Sequence, residues 1–152
     1  MAKTETGALI PALREVLRQN ALLEQAGVFL HRAPREDALP YVLVSVAPRH
    51  ALHRLNGKSG QWARVTVKAC STAEGMPEAD ELLGEVQVLL REGWDGRGFK
   101  ELLNEQMGPE WEVDEPIHGA PLPLYDDEIV QGVTRWHMGL QFDVLIRHVA
   151  GE

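Results

Sequence analysis

Trp62-Ala-Arg-Val-Thr-Val-Lys-Ala-Cys70, with the run that follows it to Leu90, decides the fold. Ala63, Val65, Val67 and Ala69 are apolar, and Arg64, Thr66 and Lys68 between them are polar. A period of two marks a strand with one wet and one buried face. Pro77 suits the first turn of a helix, where its missing N–H costs nothing. Ala79, Leu82, Leu83, Val86, Leu89 and Leu90 then recur at spacings of three and four, one apolar stripe. Gly93 is placed to end that helix with φ > 0. The pair predicts an α+β architecture, a sheet open to water on one face and covered by helices on the other.

Outward from this unit the same logic repeats. Trp136, Met138, Leu140, Phe142, Val144 and Ile146 share one parity, and Arg135, His137, Gln141, Asp143 and Arg147 the other, which predicts a long final strand spanning the sheet. Tyr41-Val-Leu-Val-Ser-Val46 reads as a central strand, with Pro48 bending or ending its pairing. Asn56-Gly-Lys-Ser-Gly60 reads as the turn of a hairpin arm leading into the Trp62 strand. Val28–His31 is a short strand. Leu9, Leu13, Val16 and Leu17 mark a first helix, and Pro11, placed in its first turn, starts its regular part near residue 9 or 10. Asn20 can cap a short helical turn that Gly27 ends. Phe99, Leu102, Leu103 and Met107 predict a short extra helix, Trp111–Asp114 an edge strand, and Pro116–Tyr125 a loop. The expected sheet is antiparallel, with about four main strands and two amphipathic helices packed on one face.

A chain of 152 residues can bury a full core without disulfides or metals, and one domain over 1–152 is expected. No apolar run is long enough to span a bilayer. The start, Met1-Ala-Lys-Thr-Glu-Thr, has no hydrophobic run behind a basic segment, so no signal peptide is indicated. Cys70 is the single cysteine and excludes an intrachain disulfide. These features point to folding in the cytoplasm.

The net charge of −8 argues against general nucleic-acid binding, which needs a basic footprint. Nine of the 23 acidic residues lie between Glu101 and Glu128, a span with no Lys or Arg, so the acidity belongs to one segment. Its carboxylates include Glu101, Glu105, Glu110, Glu112, Asp114, Glu115 and the run Asp126, Asp127, Glu128. The calcium-loop order is absent from it. A solvated loop or a charged surface facing a partner or a DNA channel both fit.

No catalytic, cofactor-binding or metal-binding residue is assigned. Gly57-Lys-Ser59 looks like the end of a phosphate loop, but the required glycine five positions earlier is Leu52. His50 and His53, at i and i+3 in a strand, face opposite sides and are a poor metal pair. His137 falls on the polar parity and reads as a surface histidine. Cys70 has no sequence neighbour that makes a catalytic dyad and reads as an unreactive thiol. Four tryptophans, Trp62, Trp94, Trp111 and Trp136, are divided between core packing and contacts with neighbours.

The order of elements resembles the tail-terminator (tail-completion) family of long-tailed bacteriophages. The matching residues are Ala12-Leu13 and Val16-Leu17, Val28–His31, Leu39-Pro-Tyr-Val-Leu-Val44, Ala63–Ala69, the helix face Ala79, Leu82, Leu83, Val86 and Leu90, the Tyr125-Asp126 pair, and Gly139–Val144. The segment Trp94–Glu115 departs from that pattern, being longer and carrying an extra helix. The resemblance implies a structural, non-enzymatic virion protein. Such a subunit forms a homo-oligomeric ring, a hexamer, that caps the tail tube and joins it to a neck or head-completion protein. It is assembled in the host cytoplasm and located at the tail–neck junction, with no cofactor and no membrane. Genome DNA passes through without specific binding. On that reading Arg49, Arg54 and Lys58 of the arm are candidates for the subunit interface, and Asp126, Asp127 and Glu128 for the channel lining. Another neck or head-completion protein is the alternative, followed by a small ligand-binding or enzymatic α+β domain using the acidic segment.

Overall fold

The computed structural model describes residues 4–31, 40–54, 57–72, 75–114, 117–118, 126–130 and 133–149; side chains at 52–54, 57–59, 76, 117–118, 126–130 and 133–135 are outside the described set. The elements run α1 (Glu5–Arg18), α2 (Ala21–Ala26), β1 (Val28–Leu30), β2 (Tyr41–Arg54), β3 (Gly57–Ser71), α3 (Met76–Glu92), α4 (Phe99–Met107), β4 (Trp111–Val113), β5 (Ile117–His118), β6 (Asp126–Val130) and β7 (Val133–His148).

The deciding stretch folds as read. β3 is antiparallel to β7 over twelve paired positions, from Gly60↔Arg147 to Ser71↔Trp136. Ala63, Val65 and Ala69 are fully buried, facing Val144, Phe142 and the half-buried Met138 across the ladder. α3 carries Pro77 in its first turn and stops at Gly93, whose φ is +73°. α1, α3 and α4 contribute to the same apolar cluster as the inward side chains of β2, β3 and β7. The opposite sheet face holds polar ladders, Thr66 with Gln141 and the Arg64–Asp143 ion pair at 3.1 Å.

The sheet departs from the expected form in three places. Among the described residues it has seven strands, ordered β1-β2-β3-β7-β4 with β5 and β6 also on β7. It is mixed, because β1 pairs parallel with β2, Val28↔Val42 to Leu30↔Val44. β5 and β6 occupy stretches where sequence gives weak strand signals; the long edge of β7 offers them hydrogen bonds that override poor intrinsic β-propensity.

α1 also starts earlier than Pro11 suggested. Thr4 caps it, accepting from the Gly7 N–H at 3.1 Å, and Pro11 lies inside the helix. An interior proline forfeits the bond to the carbonyl four residues back. Here Pro11 is exposed, so water can satisfy the Gly7 carbonyl, and burial of Leu9, Leu13, Val16 and Leu17 outweighs the loss. α2 follows its reading, with Asn20 Oδ1 accepting from the Leu22 and Leu23 N–H groups and Gly27 ending it at φ +95°.

Candidate functional site

The hairpin arm is the distal part of β2 and the start of β3. Pairing does not stop at Pro48. It continues across a bulge, with Pro48↔Ala63 followed by Ala51↔Gln61, so Arg49 and His50 together oppose Trp62. A bulge leaves backbone groups unpaired and redirects side chains. Buried Gln61 answers this by donating Nε2–H to the Arg49 carbonyl at 2.9 Å. The His50 ring lies 6.3 Å from that of Trp62, and Arg49 is exposed. The arm is thus held at its base by a buried amide. Arg54 and Lys58 sit at its tip, in the register Arg54↔Gly57 and His53↔Lys58, with their side chains outside the described residues. β1 covers only Val42–Val44 of the outer edge of β2. Beyond Val44, the edge of β2 carries no paired strand among the described residues.

The acidic segment divides into two parts. Glu101 and Glu105 are exposed on α4, Glu110 in the turn after it and Glu112 on β4. Among the described residues two of the segment's carboxylates are engaged within the chain: Glu105 with Arg97, and Asp114 with Arg147 at 2.8 Å. The hydrogen bond that Arg97 donates to Glu105 holds its guanidinium above the ordinary pKa. Glu115 is outside the described residues. Asp126, Asp127 and Glu128 are not loop residues: they form the first half of β6, paired with His137, Trp136 and Arg135 of β7. Their side chains are outside the described set.

The arm cations and the β6 acids therefore belong to different strands of one sheet. Gly60, three residues from Gly57 at the arm tip, meets Arg147, and β6 meets the opposite end of β7 at Val133–His137. Ten to twelve residues of β7 lie between Arg147 and the partners of the acids, about 35 Å of strand. The structure does not bring the two sets together within one chain.

His137 is not a surface histidine. It is 6% exposed, and its Nδ1 lies 2.9 Å from the Sγ of fully buried Cys70. The pair is set by the register Cys70↔His137, 67 positions apart in sequence, which no local spacing reveals. Its burial makes it an internal polar contact. Among the described residues no three His, Cys, Asp or Glu side chains group to hold a metal.

A family model described as tail completion protein gp17 matches residues 7–99, from the first turn of α1 to the start of α4. That stretch is more than half of the 152 residues. The chain belongs to that family. Tail completion of a bacteriophage is accordingly the coarse setting of its function. No curated protein matches the sequence significantly. The match holds α1, α2, β1–β3 and α3, while nearly all of α4, the whole acidic segment and β7 lie beyond it. No helix among the described residues is long and apolar enough to cross a membrane.

Proposed function

We propose that the chain is a tail-terminator subunit: a structural, non-enzymatic virion protein whose copies form a ring, a hexamer, on the finished tail tube. The ring joins the tube to the neck or head-completion protein and leaves a path for DNA. The observation that carries this reading is membership of the tail-completion family through the α1–α3 core. A closed ring of identical subunits needs two different patches per subunit, so that each copy contacts the next head to tail. The arm supplies one, with Arg49, Arg54 and Lys58. The exposed carboxylates of α4, β4 and the turn between them, Glu101, Glu112 and Glu110, supply a complementary one on the neighbour. Reversing Arg54 and Lys58 to Glu is expected to cut head–tail joining on the order of tenfold, with the monomer still folded. Electron microscopy of complemented lysates counts joined particles; normal numbers remove the arm from the interface.

Asp126, Asp127 and Glu128 have the other role, as channel lining. Phosphates are held by Lys and Arg and repelled by carboxylates, so an acidic wall lets DNA slide. The location of β6 at the far end of β7 from the arm leaves it free of the arm contact. Changing all three to Lys is expected to slow DNA ejection while tails still attach, read by ejection kinetics from purified virions. Unchanged kinetics, or a ring structure with these residues on its outer wall, overturns the assignment.

A further inference from the structure

At Gly60 the sheet narrows. β7 pairs with β3 as far as Gly60↔Arg147, and beyond that rung β2 and β3 continue as a two-stranded ribbon among the described residues, to Arg54↔Gly57. Such a ribbon is marginal by itself and twists more freely than a wider sheet. Register shifts between Pro48 and Ala51 and between Leu52 and His53 interrupt its ladder further. The sheet side of this junction is firm. A Cβ at Gly60 would lie 2.8 Å from the Ile146 carbonyl oxygen, so the last rung sits directly against the β7 backbone. The junction is therefore a pivot, fixed on one side and loose on the other.

One side chain spans it. Gln61 is 7% exposed and shares the parity of the core residues Ala63 and Val65. Its Nε2 donates to the Arg49 carbonyl of β2 and to the Trp62 carbonyl of β3, both at 2.9 Å. Two carbonyl acceptors take both amide hydrogens, and only the NH2 end of the amide can serve them. Arg49 is one of the two residues that the bulge sets against Trp62, and a bulge leaves such a carbonyl outside the ladder. The Gln61 amide thus ties the bulged strand to the straight one at the pivot itself. Swinging the arm away breaks a buried hydrogen bond, which costs more than an exposed one because water does not replace it.

We infer that Gln61 is the positioning residue of the arm: its amide sets the angle at which the arm leaves the sheet, and with it where Arg49 and the arm tip are presented. The inference rests on the arm being an interface, as proposed above, and adds how that interface is held ready. An arm already fixed at its docking angle loses less conformational freedom on contact, so preorganisation strengthens binding without a new contact.

The test uses the full chain with Gln61→Met, which keeps the length of the side chain and removes both donors. Gln61→Thr, a good strand former too short to reach Arg49, is read beside it in case the Met variant does not fold. Spin labels at Lys58→Cys and Val88→Cys report the distance from arm to α3. Labels at Glu112→Cys and Val88→Cys report the body of the domain, and Cys70 is buried away from the reagent. The variants are expected to widen the arm distribution about twofold with the body distribution unchanged, as a released ribbon samples a range of twist. Head–tail joining in complemented lysates is expected to fall about tenfold. An arm distribution as narrow as that of the wild type overturns the inference and leaves the arm reading standing. Widening of both distributions also overturns it, because Gln61 then serves overall stability and not the arm. A widened arm with normal joining upholds the hold of Gln61 on the arm and removes the arm from the interface, so that the reading beneath fails instead.

Discussion

Phe142→Ala is expected to destabilise the chain by about 3–5 kcal/mol, the usual loss for removing a large aromatic from a core. Phe142 is 3% exposed and lies in the middle of β7, opposite Val65 of β3. Its ring meets that of Phe99 edge-on, with centroids 5.9 Å apart. That contact fastens α4 to the sheet, so truncation removes buried area, a favourable ring pair and a tie between layers together. Leu83, 7% exposed on α3, is expected to cost less than Phe142, about 2–5 kcal/mol in the usual range for Leu→Ala. Chemical denaturation followed by tryptophan fluorescence measures both. A Phe142→Ala midpoint equal to that of the wild type contradicts the placement of β7 under α4.

The contrast between these core positions and the functional ones explains what sequence could reveal. Ala63–Ala69 and Trp136–Ile146 betray their strands because one face is buried and the other wet, and burial writes parity into the residues. α3 betrays itself by the same means at a period of three to four. Direction leaves no such mark: a three-residue strand such as Val28–Leu30 has the same composition whether it pairs parallel or antiparallel, and only its register with β2 shows that it is parallel. Asp126–Val130 is a strand because β7 extends far enough to receive it, which depends on a partner and not on its own residues. Pro11 marks a helix start by local propensity alone, yet α1 begins at Glu5, because Thr4 caps it and the apolar face of Leu9, Leu13, Val16 and Leu17 holds the helix together around the proline. The Cys70–His137 contact was invisible for a related reason. Both residues fall on the polar parity, and their burial comes from long-range register rather than from alternation.

The candidate assembly surfaces were legible as charge and not as geometry. The imbalance between Arg49, Arg54 and Lys58 and the acids of Glu101–Glu128 stands in the sequence. That the arm and β6 occupy opposite ends of β7 does not. Trp94 was visible as a tryptophan beside the extra helix, without a sign of whether it packs inward. Its neighbours Gly93, Asp95 and Gly96 were the signal that points outward, since a run tolerant of positive φ makes a tight turn that leaves the preceding side chain free.

Gly93→Ala and Gly84→Ala are expected to move stability in opposite directions, although both are single methyl additions to α3. Gly93 has φ +73° and ψ −152°, a region that costs non-glycine residues about 1–3 kcal/mol. A Cβ there would also overlap the Arg97 carbonyl oxygen, which is backbone and already bonded to the Trp94 N–H. The turn must open to admit it, and forced overpacking adds about 1–3 kcal/mol. A total loss of about 3 kcal/mol or more is therefore expected. Gly84 lies in the helix interior, and a Cβ built there meets nothing within 4 Å. Alanine at that position is expected to gain about 0.4–1 kcal/mol by restricting the unfolded chain. Thermal unfolding of the two variants beside the wild type reads both signs. Equal effects would mean that the α3–α4 turn is not built on Gly93.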